Sequence, residues 1–199
     1  MYKQFIKPSI DRMFALLLLL LLTIPMLIIG LLIHLIDHQT ALFKQQRIGR
    51  LNQPFTLYKF KTMRAQAPTD CPTHLLHQSE TYITPFGNLL RKTSLDELPQ
   101  LINIIKGEMS FIGPRPALPT QTDLLIAREA NGASKLLPGL SGLAQINGRD
   151  QLSVKEKAAY DGQYAHSITF HQDLSILLRT VIVVIRQIGY HEGSQESNH

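Results

Sequence analysis

The sequence has a single cysteine, Cys71, among its 199 residues. One cysteine excludes an internal disulfide and is typical of a reducing compartment, so the chain is not a small secreted disulfide scaffold. Charged residues make up only 18% of the chain and hydrophobic residues 44%, which excludes a disordered protein. The sequence contains no internal repeat and no recognised nucleic-acid-binding motif, so nucleic acid is not expected as a partner. The length suits one compact domain with, at most, a short appendage.

Charge is also missing from one long stretch near the N-terminus, Met13 to Ile33. These 21 residues include no charged side chain, and Thr23 is their only polar one. As a helix the stretch would be about 31 Å long, close to the hydrocarbon thickness of a bilayer. A cleaved signal peptide is disfavoured because no small-residue cleavage site follows, and a soluble core helix because every face is apolar. We therefore predict that residues 1–37 form a membrane helix.

The flanks of this stretch indicate how the helix meets the membrane. Three basic residues precede it, and residues 38–92 contain eight basic residues against two acidic ones, a net charge of +6. Positive charge is retained on the cytoplasmic side, so both flanks favour that side. Pro25 bends a helix near the middle of the stretch. The pattern favours a re-entrant helix over a single kinked span, with the Thr23 hydroxyl relieving the backbone strain near Leu21.

The remainder of the chain reads as one cytoplasmic domain at the membrane interface, residues 38–190, followed by a polar, disordered tail at 191–199. The alternation in Pro54 to Met63 predicts a short strand or hairpin arm that presents Lys59 and Lys61 at its end. The expected fold class is α+β, mainly helical with a short sheet, a re-entrant N-terminal helix and interfacial amphipathic helices.

Residues 65–82 are predicted to form a variable surface loop, because Pro68 and Pro72 interrupt regular structure there. Cys71, His74 and His77 stand three residues apart within it. A metal site with this spacing would lack a fourth ligand, so the loop interpretation is favoured.

A helix is also expected from Asp173 to Ile188, with one polar stripe beside apolar positions. Arginines on an apolar helix suit an anionic membrane interface. A helix that covers the domain core explains the same pattern equally well.

The most informative stretch is Leu89 to Pro116, in which two carboxylates stand next to each other. Ser94 can cap a helix, with Glu97 completing a capping box. Alternatively, Asp96 is itself the cap ahead of Pro99 in the first turn. Helix initiation alone explains both acids in either version.

Three features favour a functional role for the acids. Carboxylates at a helix start are held rigidly beside donors that favour anions. Arg91, Lys92 and Arg115 lie close in sequence on both sides of them, and the prolines around Arg115 stiffen the backbone that carries it. Carboxylates, a metal ion and fixed arginines are what phosphoryl transfer requires.

Several blocks of the chain resemble the monotopic phosphoglycosyl transferases, also called bacterial sugar transferases. The similarity runs from about residue 5 to residue 188, and its blocks stand in the family's order. The length is similar to that of the minimal polyprenyl-phosphate phosphosugar transferases, which lack further membrane helices or fused domains. The blocks are Phe43–Gly49, Tyr58–Met63, Ser94–Leu101, Lys106–Pro116 and Pro138–Arg149, followed by Tyr160-Asp161 and Tyr164.

The resemblance implies an enzyme of the bacterial inner membrane, on its cytoplasmic face. It implies transfer of a sugar phosphate from a UDP-sugar to a polyprenyl phosphate such as undecaprenyl phosphate, with release of UMP, at the start of a glycan pathway. Asp96 then takes the role of nucleophile and forms an acyl-phosphate intermediate. Glu97 helps to hold Mg²⁺ together with Asp96. A direct transfer in a ternary complex is the competing mechanism.

The candidate phosphate and substrate ligands are five basic side chains and one acid. They are Lys59, Lys61, Arg91, Arg115, Arg149 and Asp161. A buried structural ion pair would explain Arg149 or Asp161 equally well.

One departure from the family concerns the membrane helix. Its break commonly contains Ser-Pro, whereas this chain has Ile24-Pro25 with Thr23 one position earlier. A second class of function, a non-catalytic adaptor, also fits the residues: its acids would cap a helix and its basic face would bind anionic lipid.

Overall fold

The computed structural model describes residues 1–68, 79–148 and 151–186 of the chain. This part is mainly helical and contains two small two-stranded sheets. The prediction of a mainly helical α+β fold with little sheet and an N-terminal apolar helix is confirmed. Arg149, the tail 191–199 and the group Cys71, His74 and His77 lie outside the described residues.

Helices and short strands alternate along the chain. In order, they are α1 (Lys7–Asp37), β1 (Leu42–Ile48), β2 (Pro54–Phe60), α2 (Ser79–Tyr82), α3 (Pro85–Lys92), α4 (Gln100–Lys106), β3 (Ser110–Ile112), α5 (Thr122–Ala130), β4 (Gly139–Ser141), α6 (Leu143–Ile146), α7 (Val154–His166) and α8 (Phe170–Ile185). A π-helical turn (Tyr2–Ile6) precedes α1, and 3-10 turns occupy Arg50–Asn52, Leu95–Glu97 and Ala133–Lys135. The helical turn α2 lies at the end of the segment that was expected to be a loop.

One side of α1 packs along the rest of the molecule, and the other side is exposed. Ala15 lies in a core cluster with residues of β2 and α4, while Ile29 and Ile33 pack against Phe60 and Leu90. The opposite face exposes large apolar side chains. They include Leu16, Leu17, Leu20, Leu21, Ile24, Leu27, Ile28 and Leu31. The helix is long and apolar enough to cross a membrane by length and composition.

Pro25 lies inside α1, as predicted, and the helix continues through it. The Thr23 hydroxyl donates to the carbonyl of Leu19 over 2.6 Å. We expected this hydroxyl to act near Leu21. The bond reaches Leu19 because a helical threonine contacts the carbonyl four residues before it.

The predicted hairpin arm is β2, which pairs antiparallel with β1. Phe55 and Leu57 are buried on one face of the strand. Phe60, on the other face, is also buried, because it packs against Ile33 of α1 and Leu90 of α3.

Six side chains, which we call the closed cluster, fasten the start of α1 to the rest of the molecule. The Lys7 ammonium lies 2.8 Å from Asp173 and 3.5 Å from Asp11. The remaining three members are hydroxyls, and all donate to these two carboxylates. Tyr2 and Tyr164 bond Asp173 over 2.8 and 2.6 Å, and Ser110 bonds Asp11 over 2.6 Å.

The other end of α1 is also fastened. Thr84 donates to the carboxylate of Asp37, the last residue of α1, over 2.9 Å. The same hydroxyl caps α3 by accepting from the backbone N–H of Gly87 over 2.9 Å. Both ends of the helix therefore contact the domain formed by the later elements.

The expected C-terminal helix is α8, capped by Thr169. Asp173 and Ile176 face the core, and most of its other apolar side chains are exposed. Exposed members include Leu174, Leu177, Leu178, Val181, Ile182 and Ile185. The interpretation that α8 covers the domain core therefore holds for a narrow stripe of the helix. The rest of its apolar face is exposed, as the membrane-interface interpretation expects.

Candidate active site

The adjacent carboxylates lie on the short 3-10 turn between α3 and α4. Ser94 precedes this turn in the left-handed region, with φ of 56°, and makes no capping hydrogen bond with its side chain. An N-cap residue normally has extended backbone geometry, so the capping-box prediction is wrong. The N-cap of α4 is Pro99, so Asp96 is not the cap either. Helix capping therefore does not explain the two acids.

Asp96 is buried, with 7% of its surface exposed. Burial raises the pKa of its carboxyl to about 6, and the negative charge of Glu97 adds to the increase. Three cations oppose this shift: Lys59, Arg91 and Arg115. The site therefore brings together five of the residues predicted for it, including both acids.

Lys59 lies one residue before the end of β2. Burial lowers the pKa of its ammonium to about 8, and the positive charges of Arg91 and Arg47 lower it further. Asp96 and Glu97 act in the opposite direction. Lys59 is therefore repelled by Arg91 and Arg47 and attracted by the two acids.

Arg91 lies in the last turn of α3 and is 8% exposed. Its Nε donates to the Thr62 hydroxyl over 2.7 Å. Because Thr84 caps α3 and bonds α1, the helix that carries Arg91 is held at its start as well.

Arg115 follows β3 and reaches back to the acids. Its guanidinium lies 3.2 Å from the Glu97 carboxylate. A side chain at Gly113 would collide with the backbone of Leu137, so only glycine permits the close crossing of chains just before Arg115. The carbonyl of Arg115 accepts from Arg128 over 2.9 Å.

Asp161 lies away from the two acids, in a buried ion pair with Arg128 over 2.7 Å. Of the two interpretations offered for Asp161, the structure shows the ion pair. Arg128 also donates to the carbonyl of Arg115. Asp161 therefore helps to position the backbone of Arg115 through Arg128. A direct substrate contact by Asp161 stays a prediction.

Arg47 belongs to the site and was not among the predicted residues. Burial lowers the pKa of its guanidinium to about 10, and the nearby charge of Arg115 contributes. It donates to the Gln45 side chain over 2.7 Å and to the Pro116 carbonyl over 3.1 Å. The strand register could have identified it, because Arg47 pairs with Phe55, which lies on the same face of β2 as Lys59.

A cavity of about 280 Å³ lies beside these cations. Lys61 and Arg64 line it together with Arg47, Lys59 and Arg91, so five basic residues face one space. Within the described residues, Arg47, Lys59, Arg91 and Arg115 surround Asp96 and Glu97, and we call these six the cationic cluster. Four cations around two carboxylates leave a positive balance, which favours an anionic ligand.

The donor set also suits a divalent cation. No group of three or more histidine, cysteine or acidic side chains occurs in the parts of the chain that the structure describes. Mg²⁺ is usually bound through only one or two carboxylates, with substrate phosphates and water completing its ligands. Asp96 and Glu97 meet that requirement.

Comparisons with known proteins agree with this chemistry. The chain is 43% identical over 157 residues to the uncharacterized sugar transferase EpsL of Bacillus subtilis, in an alignment that covers 79% of this chain and 74% of the relative. It is 34% identical over 197 residues to the exopolysaccharide production protein ExoY of Sinorhizobium fredii, with coverage of 92% and 87%. It is 36% identical over 183 residues to the UDP-glucose:undecaprenyl-phosphate glucose-1-phosphate transferase of Caulobacter vibrioides, with coverage of 88% and 68%.

The family model described as "Bacterial sugar transferase" matches residues 2–187. This match confirms the resemblance that the sequence blocks indicated. The apolar helix α1 is consistent with a membrane-associated member. The chain belongs to the bacterial sugar transferase family, a family of sugar-phosphate transferases.

Proposed function

We propose that this protein transfers a sugar phosphate from a UDP-sugar to a polyprenyl phosphate and releases UMP, as an initiating step of exopolysaccharide assembly. The observation that supports this most is the buried carboxylate of Asp96 among three cations, Lys59, Arg91 and Arg115. An anionic diphosphate would balance those charges, and a nucleophile stands within the same cluster. The name of the Caulobacter relative contains the same classes of donor and acceptor.

In the proposed mechanism, a carboxylate oxygen of Asp96 attacks the phosphorus that bears the sugar. The bond between that phosphorus and the bridging oxygen breaks, and UMP leaves with the electron pair. An oxygen of the polyprenyl phosphate then attacks the same phosphorus and releases the Asp96 carboxylate. Two displacements thereby replace one direct transfer.

The cations supply charge stabilisation for both displacements. Arg115 and Lys59 neutralise charge on the phosphates, and Arg91 is held by Thr62 on the same side. Asp96 and Glu97 would hold Mg²⁺, which would offset negative charge on the donor's diphosphate and on the departing UMP. Asp161 and Arg128 keep the backbone of Arg115 in place.

The proposed membrane topology is a re-entrant α1 at the cytoplasmic face of the bacterial inner membrane. Its support is that Lys7 and Asp37, at the two ends of α1, both contact the later domain. A helix that crossed the bilayer would place its ends on opposite sides. Labelling of Phe5→Cys and Lys44→Cys in a Cys71→Ser background should report one shared side, and labelling from opposite sides would reject re-entry.

The experiment that tests the proposed reaction is a UMP-release screen. Purified full-length protein is supplied with Mg²⁺, undecaprenyl phosphate and a panel of UDP-sugars. At least one sugar should yield UMP, and the Asp96→Asn variant should yield none above background. A folded, membrane-bound protein that releases UMP from no UDP-sugar would instead support the adaptor function.

A further inference from the structure

A second cavity, of about 190 Å³, lies between α1, α4 and α8. Its walls are almost entirely apolar, and they include residues of the membrane helix. Among them are Leu18, Leu22, Leu101, Leu177, Val183 and Val184. Glu97 and Arg115 line the same cavity, so it reaches the cationic cluster.

One polar side chain in this cavity has no partner. Gln145, on α6, is 8% exposed, and neither its Nε2 nor its Oε1 has a hydrogen-bond partner in the described structure. Two other polar residues of the wall, Ser141 and Thr180, bond each other over 2.6 Å. A buried amide without partners is costly, so a native protein normally provides one. A ligand that brings a polar group to Gln145 would therefore be stabilised in this cavity.

We infer that this cavity binds the phosphate-proximal isoprene units of the polyprenyl acceptor, and that Gln145 positions its phosphate. This inference rests on the proposed function. A ligand that fits must be apolar along its length and carry a hydrogen-bond acceptor at one end. In a prenyl phosphate the only polar atoms are those of the phosphate, which can accept from the Gln145 amide and pair with Arg115.

The surroundings of the cavity fit the rest of such a ligand. α1 and α8, which line it, each expose an apolar face. The remaining isoprene units can therefore continue from the cavity into the bilayer without crossing polar surface.

Two displacements at one phosphorus also favour two separate cavities. The acceptor must attack from the side that UMP has left, so the two phosphates use one position in turn. Their tails differ, because one is a nucleoside and the other a hydrocarbon. The cavity lined by Lys59 and Arg91 suits the first, and the apolar cavity suits the second.

The first test is Gln145→Leu, measured with farnesyl phosphate as acceptor and a UDP-sugar that the wild type uses. The apparent KM for farnesyl phosphate should rise about tenfold, the equivalent of about 1.4 kcal/mol. The KM for the UDP-sugar should change less than about twofold, a small fraction of that free energy. The melting temperature should not fall, since leucine removes an unpartnered amide. An unchanged KM for farnesyl phosphate would overturn the role of Gln145.

The second test uses a matched pair on α8. Val184→Phe narrows the cavity and should raise the KM for farnesyl phosphate. Ile185→Phe adds the same side chain on the outer face, where Ile185 is 74% exposed, and should leave that KM unchanged. Equal effects of the two variants would reject the cavity as the acceptor site.

A third readout does not depend on a variant. Farnesyl phosphate with a diazirine on its first isoprene unit should label wild-type peptides that contain Leu22 or Val184, and unlabelled farnesyl phosphate should prevent this. Competition by phosphatidylglycerol vesicles alone would show that the cavity holds bulk lipid, which contradicts the inference. If the wild type transfers to no prenyl phosphate, the proposed function fails. If it does so while these tests fail, only this inference is lost.

Discussion

The closed cluster and the cationic cluster are both groups of charged side chains built around buried carboxylates, but their charges are balanced differently. In the closed cluster, one ammonium and three hydroxyls satisfy two carboxylates at distances from 2.6 to 3.5 Å. In the cationic cluster, four cations surround two carboxylates. Asp96 has a raised pKa and Lys59 a lowered one, because burial disfavours the charged form of each group.

The difference separates two uses of buried charge. The closed cluster fastens α1 to β3, α7 and α8, and it is complete without a ligand. The cationic cluster has four cations against two carboxylates, so an anionic ligand would add favourable interactions to it. Changes in the first should therefore affect stability, and changes in the second should affect turnover.

The largest expected effect is that of Asp96→Asn on turnover. Loss of the nucleophile should reduce the rate of UMP release by about 10³-fold or more. Asp123→Asn, which removes an exposed acid in the first turn of α5, is the control and should keep wild-type activity. If Asp96→Asn releases UMP at the wild-type rate, Asp96 is not the nucleophile.

The same variant should gain stability, with a defined pH dependence. The folded pKa of Asp96 is about 6, above its usual 3.8, so this group lowers the wild type's stability as pH rises from about 4 to about 6. Asparagine removes that charge. At pH 8 the variant's free energy of unfolding should exceed that of the wild type by an amount on the order of 2–3 kcal/mol, and its melting temperature should be higher. At pH 4 the difference should nearly vanish, and an equal gain at both pH values would contradict the assignment.

Asp173→Asn tests the closed cluster by breaking its shortest ion pair. It should lower the free energy of unfolding by about 3 kcal/mol, because Lys7 loses one partner and keeps only Asp11. Thermal unfolding in lipid nanodiscs measures the change. Activity per folded molecule should stay near that of the wild type, whereas a selective loss of turnover would merge the two clusters into one functional unit.

Arg115→Lys should have a smaller, catalytic effect. Lysine keeps the charge but loses the planar pair of donors that faces Glu97 and the phosphates. We expect kcat/KM to fall about tenfold, equivalent to about 1.4 kcal/mol, with little change in stability because the side chain is 43% exposed. Lys135→Arg, at an exposed 3-10 turn, serves as a control for the opposite exchange.

The pH profile of turnover should have an acid limb set by Asp96 and an alkaline limb set by Lys59. Asp96 must be ionised, so activity should rise through about pH 6, and Lys59 must be charged, so activity should fall above about pH 8. Lys59→Arg should move the alkaline limb to higher pH, since arginine stays charged. An alkaline limb that stays in place in this variant would assign it to another group.

Much of the cationic cluster could be predicted because most of its residues lie close together in the sequence. Asp96, Glu97, Arg91 and Arg115 lie within 25 consecutive residues, and Lys59 lies in a separate block. Arg47 was missed because its place depends on the pairing of β1 with β2. The apolar run predicted α1, and alternation predicted β2, since both are local patterns.

The closed cluster could not be predicted in the same way. Lys7 and Asp173 are separated by 166 positions, and no periodicity relates them. The capping interpretation failed for a local reason: Ser94 adopts a left-handed backbone, which a capping residue does not normally have. Sequence rules thus grouped the candidate site residues better than they predicted the contacts that hold the surrounding elements together.

The most direct test of the central claim is to trap the sugar phosphate on the enzyme. Wild-type protein is incubated with Mg²⁺ and a UDP-sugar that it uses, without acceptor, and then digested. The peptide that spans Thr93 to Lys106 should gain the mass of one sugar phosphate, attached to Asp96, with a matching amount of UMP released. If no adduct forms and UMP appears only when the polyprenyl phosphate is present, the transfer is direct and Asp96 is not the nucleophile.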